Sequence, residues 1–267
     1  MDVRGRRRWL SGALRLTLAE PADGFDRALA RLQGLGRRVP SVDYEFDPDW
    51  ERSLHELVGH AWPCPARAEF EAVWSRTGAF LQARGLTVGR GTYGGWDDAD
   101  PALARAVWCL ARHLRPTVVL ETGVARGVTS RVILEGLERN REGRLWSIDL
   151  PALDPEIHEQ IGAAVPDELR TRWTYVSGTS RRRLPGLLAE LREVDLFVHD
   201  SSHTERNVLF ELERVWTALQ PGGAVVADDI ERNAGFAKFL RRLPAAASVV
   251  ARADDGRALI GLAVKPR

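Results

Sequence analysis

The sequence predicts an α/β fold, a mostly parallel sheet covered by helices on both faces, closed by a C-terminal antiparallel hairpin and preceded by a helical N-terminal extension. Three observations carry this. The run Thr117-Val-Val-Leu-Glu-Thr-Gly-Val-Ala-Arg-Gly-Val-Thr-Ser130 reads as a buried strand, a tight glycine turn and a helix start in succession. From Asp100 onward, strand-like and helix-like stretches alternate regularly, the signature of βαβ units. Finally, Ser248–Arg252 and Ala258–Val264 are strand-like runs joined by a turn containing Asp254-Asp-Gly256, too short a link for a crossover helix, so they must pair antiparallel.

Length and composition fit one catalytic domain with a small extension. The chain has 267 residues, 44% of them hydrophobic, enough for one substantial core. Its formal net charge of +1 gives no general pull toward nucleic acid or an anionic membrane. No apolar run approaches the ~20 residues of a membrane span. The start, Arg6-Arg-Arg-Trp-Leu-Ser-Gly-Ala-Leu14, is broken as an export signal by Arg15 and Glu20, which leaves a cytoplasmic location as the expectation. The 2 cysteines, Cys64 and Cys109, lie far apart without a C-x-x-C partner, so the pattern supports neither a zinc site nor a disulfide framework.

Residues 1–99 show helical spacing without strand–helix alternation. Apolar residues recur at helical intervals in 26–35 and 66–86, as in Phe70, Val73, Trp74, Phe80 and Leu81. The intervening 38–65, rich in Pro, Asp and aromatics, reads as irregular. Gly89-Arg-Gly-Thr-Tyr-Gly-Gly95 is a hinge candidate, and Trp96 beside it is a candidate wall of an acceptor pocket or a packing residue. The extension is a cap over the site or a packing or homo-oligomerisation element.

Residues 100–267 form the second region. A helix over 101–114 opens it, with proline in its first turn and Asp98 or Asp100 as cap. Strands are predicted near 117–121, 144–149, 173–177, 194–199 and 223–228. Helices are predicted near 128–139, 155–163, 180–191, 204–219 and 232–242, with Pro221-Gly-Gly223 as the turn into the fifth strand. Right-handed crossovers place these helices on both faces of the sheet.

The first strand ends in Glu121 and is followed by Gly123 and Gly127, whose missing Cβ atoms let backbone approach a ligand. A dinucleotide fold wants G-x-G-x-x-G, but the middle position here is Ala125. The pattern E-x-G-x-x-x-G suits a cofactor with an amino-acid tail, whose ammonium needs an anionic partner. Leu145-Trp-Ser-Ile-Asp149 is a second strand ending in an acid, where a ribose diol is usually held. Through Glu121, Gly123, Gly127 and Asp149 the chain resembles the class I S-adenosylmethionine-dependent methyltransferases. The C-terminal hairpin extends that resemblance over about 100–267. It implies a Rossmann-like seven-stranded sheet, a methyltransferase activity, and S-adenosyl-L-methionine held by those four residues with Ser130, Thr179 and Ser180. Related enzymes often hold the adenine with an acid or amide after the third strand, whereas this chain offers only hydroxyl or backbone groups at Thr179 and Ser180.

Two more strand ends carry acids: Asp195-Leu-Phe-Val-His-Asp200 and Ala224-Val-Val-Ala-Asp-Asp229. As neighbouring strands lie about 4.8 Å apart, Asp200, Asp228 and Asp229 should crowd one small volume. Such carboxylates stay charged together only if a cation compensates them, most simply a hard divalent ion such as Mg2+. The alternative is that Asp228 caps a helix and Asp229 faces solvent. The segments 194–203 and 219–229 resemble the metal-assisted small-molecule O-methyltransferases, of the catechol type and the group acting on macrolide sugars. That resemblance implies metal binding by the three aspartates and O-methylation of a phenolic or sugar diol.

His203 replaces the lysine that serves as base in the catechol group. A neutral imidazole can take a hydroxyl proton near pH 7, so His203 and Asp200 are the candidate catalytic residues. His203 as a cap, metal ligand or substrate donor, and metal-free transfer with His203 alone, remain alternatives, as does a binding module without turnover. His199 is read as strand packing, and His55, His60, His113 and His158 show no partner pattern. Arg181-Arg-Arg183 reads as a solvated face rather than a nucleic-acid patch.

Overall fold

The computed structural model describes residues 42–98, 100–150, 152–243 and 245–267, with Pro21, Asp23 and Gly24. The helix expected at 26–35 and the export-like start lie outside these residues. Among the described residues the helices α1 (Trp50–Val58), α2 (Arg67–Gln82) and α3 (Pro101–Leu114) precede the sheet. The chain then runs β1 (Val118–Thr122), α4 (Val128–Asn140), β2 (Arg144–Asp149), the one-turn α5 (Pro155–His158) and β3 (Trp173–Ser177). It continues through α6 (Ser180–Leu191), β4 (Val194–His199), α7 (Glu205–Ala218), β5 (Leu219–Ala227), α8 (Gly235–Arg241), β6 (Ala247–Arg252) and β7 (Leu259–Val264). The seven strands stand in the order β3-β2-β1-β4-β5-β7-β6, with β7 antiparallel to both neighbours and the rest parallel. This is the Rossmann-like arrangement with the expected reversed C-terminal hairpin.

The apolar strand runs follow from burial on both faces. Val119, Leu196 and Val226 join one core with Leu103, Val107 and Val132. Their chain neighbours Leu120, Phe197 and Val225 join the opposite core with Leu184, Leu212 and Phe236. With period-two side chains, the middle of each of these strands is apolar on both faces, and the buried polar residues Glu121, Thr122 and His199 stand at the strand ends. The N-terminal helices belong to the first core, through Trp50, Leu54, Phe70 and Val73. The Trp108 indole also donates to the Ala66 carbonyl at 3.0 Å. Asp100 is the cap of α3, accepting from Ala102 N at 2.7 Å. No described helix is long and apolar enough to cross a membrane.

Four expectations require correction. The segment 38–65 is not irregular throughout, since α1 lies within it, burying Trp50, Leu54 and Val58 at four-residue spacing. Gly59, at φ 74°, closes that helix. The helix expected to 163 ends at His158, because the chain must turn at Gly162 (φ 68°), where a Cβ would lie 2.4 Å from the Trp173 ring. Pro221-Gly-Gly223 sits within the span of β5, where the pairing with β4 shifts register between Val194 and Leu196. The helix expected from 232 begins at Gly235, after a short 3-10 turn at Ile230–Arg232.

The register of the sheet brings its loops into contact. Gly123, just past β1, has φ 87°, and a Cβ there would stand 1.8 Å from the Asp200 carbonyl oxygen at the end of β4. Backbone on backbone cannot give way. We predict that Gly123→Ala lowers unfolding stability by roughly 2–5 kcal/mol, from overpacking and left-handed strain together. Urea denaturation should show the drop, and an unchanged midpoint would contradict this packing.

Candidate functional site

The site lies beyond the C-terminal ends of β1 and β4, where the strand order reverses direction, the position at which open α/β sheets hold ligands. Three residues of the β1–α4 loop take positive φ: Gly123 (87°), Ala125 (47°) and Gly127 (78°). The two glycines meet protein backbone rather than open space: Gly123 meets Asp200, and a Cβ on Gly127 would be 3.1 Å from Gly162 Cα. Close ligand approach is therefore not what demands glycine at these two positions.

Asp149, at the end of β2, fixes the loop. One carboxylate oxygen accepts from Val124 N and Ala125 N at 3.1 Å each, the other from Leu150 N at 2.7 Å. Glu121 lies beneath the loop, 1% exposed. Its Oε2 accepts from Ser130 Oγ and Ser147 Oγ, both at 2.6 Å. Burial pushes its carboxyl up to about 7 against the pull of those two hydroxyls, with Asp149 adding to the rise. Ser130 thus serves Glu121 directly. Thr179 is the N-cap residue of α6, and its hydroxyl lies 3.3 Å from the buried Asp23 carboxylate. Ser180 is buried and faces Asn207 at 3.4 Å.

Sequence reading missed Arg126. Its guanidinium, 5% exposed, pairs with the fully buried Asp98 carboxylate at 2.6 Å. It also donates to Thr87 O at 2.6 Å and Thr92 O at 2.7 Å, and to Gln160 Oε1 at 2.9 Å. Asp98 in turn accepts from Gly89 N at 2.7 Å and Thr92 Oγ1 at 2.9 Å. The glycine-rich segment 89–95 is thereby held onto the β1–α4 loop. Tyr93 is buried there, its hydroxyl pKa raised by burial and then by the nearby Asp149 and Tyr175. Trp96 is 64% exposed, so it is not a packing residue of this chain.

The acids at the ends of β4 and β5 come together. His199 pairs with Ala227, and Asp228 N donates to the His199 carbonyl at 2.9 Å. His203 Nε2 stands 3.8 Å from Asp200 Oδ1 and 3.4 Å from Asp229 Oδ2. Arg232 Nε lies 3.1 Å from that same Asp229 oxygen. Desolvation drives the Asp200 and Asp228 carboxyls well above the usual range, and their neighbouring acids add to it. Asp229, buried and at φ 52°, rises to about 6, desolvation outweighing Arg232. Asp228 Oδ1 is buried without a hydrogen-bond partner. Asp229 therefore does not face solvent, and its side chain does not cap the turn that follows.

Burial, with His199 and Arg232 nearby, lowers His203 to about 3, so its imidazole is neutral at pH 7. Behind it lies Glu211, on α7 and fully buried, a second residue sequence reading passed over. It receives Thr122 Oγ1 and His199 Nδ1 at 2.6 Å each, and Ser201 Oγ and Asn207 Nδ2 at 2.8 Å each. Burial alone would raise its pKa, but His199 and these donors bring it down to about 2. It is an ionised anchor between β1, β4 and α7. A carboxylate at a four-residue interval among the buried positions Val208, Leu212 and Val215 was the available signal.

A hard divalent cation suits the donor chemistry of Asp200, Asp228 and Asp229, and the unpartnered Asp228 oxygen is the observation in its favour. The three side chains do not yet converge: among the described residues, the group whose ligand atoms all lie within 4.8 Å of one another is His55, Cys109 and His113.

The pKa of Glu121 yields a pH prediction. A carboxyl raised from 4.5 to about 7 by folding contributes stability below pH 4.5 that is lost as pH rises through 7. Glu121→Gln lacks this titration. Thermal unfolding of both proteins between pH 5 and pH 8 should show the variant gaining on the native chain by on the order of 3 kcal/mol. Parallel curves would refute it.

Residues 120–230 match the family described as "Methyltransferase domain". The chain has no match among curated proteins. Solved structures resemble it at low identity. An O-methyltransferase from Bacillus cereus, in complex with SAH, is 17% identical at TM-score 0.53, covering 81% of this chain and 99% of that one. The O-methyltransferase TomG from Streptomyces achromogenes, involved in tomaymycin synthesis and solved with SAM, is 17% identical at TM-score 0.55, covering 73% of this chain and 90% of its own. A methyltransferase from Geobacter sulfurreducens is 17% identical at TM-score 0.51, covering 86% and 100%. At such identities the likeness establishes the fold, while the matched domain names the activity. Residues 120–230 accordingly match a methyltransferase domain, and the chain around them has the Rossmann-like fold that its O-methyltransferase neighbours share.

Proposed function

We propose that the protein methylates a hydroxyl oxygen of a small molecule bearing vicinal oxygens, a phenolic or sugar diol, with a hard divalent cation such as Mg2+ at Asp200, Asp228 and Asp229. The observation that carries this reading is the contact of the cofactor loop with the acid cluster. Gly123 abuts the Asp200 carbonyl, so a methyl donor on the loop and an acceptor on the acids would be adjacent. The O-methyltransferase neighbours support oxygen as the target.

In this reading Asp149 meets the ribose, Glu121 lies buried behind the loop as an acid on the side of the S-adenosylmethionine ammonium, and Gly123, Gly127 and Ser130 shape the loop and its support. The cation, when bound, supplies neutralisation of the three carboxylates and a lowered pKa for the acceptor hydroxyl. His203, neutral at pH 7, offers Nε2 to the acceptor's proton. Asp200, 3.8 Å from that nitrogen, is the alternative acceptor of the proton when no cation is bound. The new O–CH3 bond forms as the sulfonium C–S bond breaks, so charge and protons balance. The 87–98 segment, pinned by Arg126, acts as the cap, with Trp96 exposed beside the acceptor's approach. Neither nucleic acid nor a membrane is a partner in this account.

Metal-free transfer is the second reading, favoured by the separation of the aspartate oxygens. Methyl transfer assayed with a chelator, then with added Mg2+, separates the two. Loss and recovery support the metal reading, and indifference supports the other.

Binding and turnover should also divide between residues. Calorimetry with S-adenosylhomocysteine should give micromolar affinity, weakened tenfold or more by Asp149→Ala, roughly the cost of a charge-assisted hydrogen bond. Asp228→Ala should bind nearly as the native chain does and yet lose turnover. Equal binding losses in both variants would overturn this assignment.

A further inference from the structure

The C-terminal half of α1 with the segment after it, and the C-terminal half of α3, bring together five side chains that sequence reading left without partners. His55, His60 and Cys64 come from the first segment, Cys109 and His113 from the second. Cys109 and His113 are four residues apart on α3 and share a face. Cys64 Sγ stands 3.4 Å from His113 Nε2, and Cys109 Sγ stands 3.7 Å from both ring nitrogens of His55. Ligand atoms of His55, Cys109 and His113 all lie within 4.8 Å of one another. In a tetrahedral site with Zn–S near 2.3 Å and Zn–N near 2.05 Å, sulfur and nitrogen ligands stand about 3.6 Å apart. The two observed sulfur–nitrogen separations bracket that value.

We propose that His55, Cys109 and His113 form a second metal site for Zn2+ or a similar borderline cation, distinct in chemistry from the aspartate cluster, with Cys64, which touches His113 but lies outside that three-residue group, closing in as the fourth ligand on binding. Soft sulfur and imidazole donors select this ion over Mg2+. His55 Nδ1 donates to the Glu51 carbonyl at 2.7 Å, which fixes the tautomer and leaves the Nε2 lone pair for the ion. Binding exchanges two thiol protons for one dication, and the two thiolates cancel its charge in a largely apolar setting. His60 is exposed, its ring 4.4 Å from that of His113, and marks the side from which an ion enters.

Such a centre would staple α1 and its following turn to α3, and so hold the N-terminal segment against the first helix of the sheet domain. The inference does not depend on methyl transfer. Nor does it depend on the aspartates.

The test uses the full-length chain, stripped with a chelator and titrated with Zn2+ or Co2+ alone. The expected result is one Zn2+ per chain by elemental analysis, with both thiols protected from a disulfide reagent. Co2+ should give the visible bands of a tetrahedral site together with thiolate charge transfer. Cys109→Ser and His113→Ala should each weaken binding by more than about tenfold. The thermal midpoint should rise with Zn2+ and not with Mg2+. Thiols that react equally fast with and without Zn2+ in the native chain would overturn the proposal, as would a disulfide between Cys64 and Cys109 in the purified protein. That readout holds even if the variants fail to fold.

Discussion

The parallel pairing of β4 with β5 is the constraint on which the site depends. Once His199 is in register with Ala227, Asp200 and the Asp228–Asp229 pair are delivered to the same lip of the sheet. None of the three can withdraw without breaking a strand that is buried on both faces. Their mutual repulsion and desolvation therefore become a fixed property of the fold, expressed as raised proton affinity. Arg232 compensates Asp229 in part, and protons or a bound cation must neutralise the rest. Above about pH 6, where Asp229 sheds its proton, the demand for a cation grows.

Two buried ionic groups hold the surroundings still while that demand is met. Glu211 gathers Thr122, His199, Ser201 and Asn207, joining the ends of β1 and β4 to α7 and setting the ring beside His203. Arg126 does the equivalent on the cofactor side, tying the loop after β1 to Asp98 and the glycine-rich segment. Removing one partner of such a pair leaves the other charge buried alone, at a cost of about 3–5 kcal/mol. The chemistry is thus held by residues that do not themselves reach the acceptor.

Most of the sheet was legible because both of its faces are buried. Every strand except β5 began within a residue or two of its expected position, since a two-sided apolar run leaves little ambiguity. The hairpin at Asp254-Asp-Gly256 was equally plain, its short link excluding any parallel pairing. The helix of 50–58 was hidden because proline and aspartate flank a stretch whose three buried residues show only against their partners in the first core. Positions of acids at strand ends were also readable, being fixed by local pattern. What each side chain does there was not. Gly123 and Gly127 were read as ligand-facing, but a sequence cannot show that the backbone of Asp200 or Gly162 fills that space. Arg126, Glu211 and the cysteine–histidine cluster share one reason for being missed, for their partners lie far along the chain: 28 residues from Arg126 to Asp98, 89 from Thr122 to Glu211, 54 from His55 to Cys109.

The central claim is that Asp200, Asp228 and Asp229 act as one cation site next to the cofactor loop. Electron paramagnetic resonance of Mn2+ titrated into the chain at pH 8 addresses it most directly, because free and bound ions differ in signal. The account predicts one saturable site that removes the free-ion signal, competes with Mg2+, and is lost in Asp228→Asn while the variant still binds S-adenosylhomocysteine. Free-ion signal that persists in the native chain, or that falls equally in the variant, would contradict it.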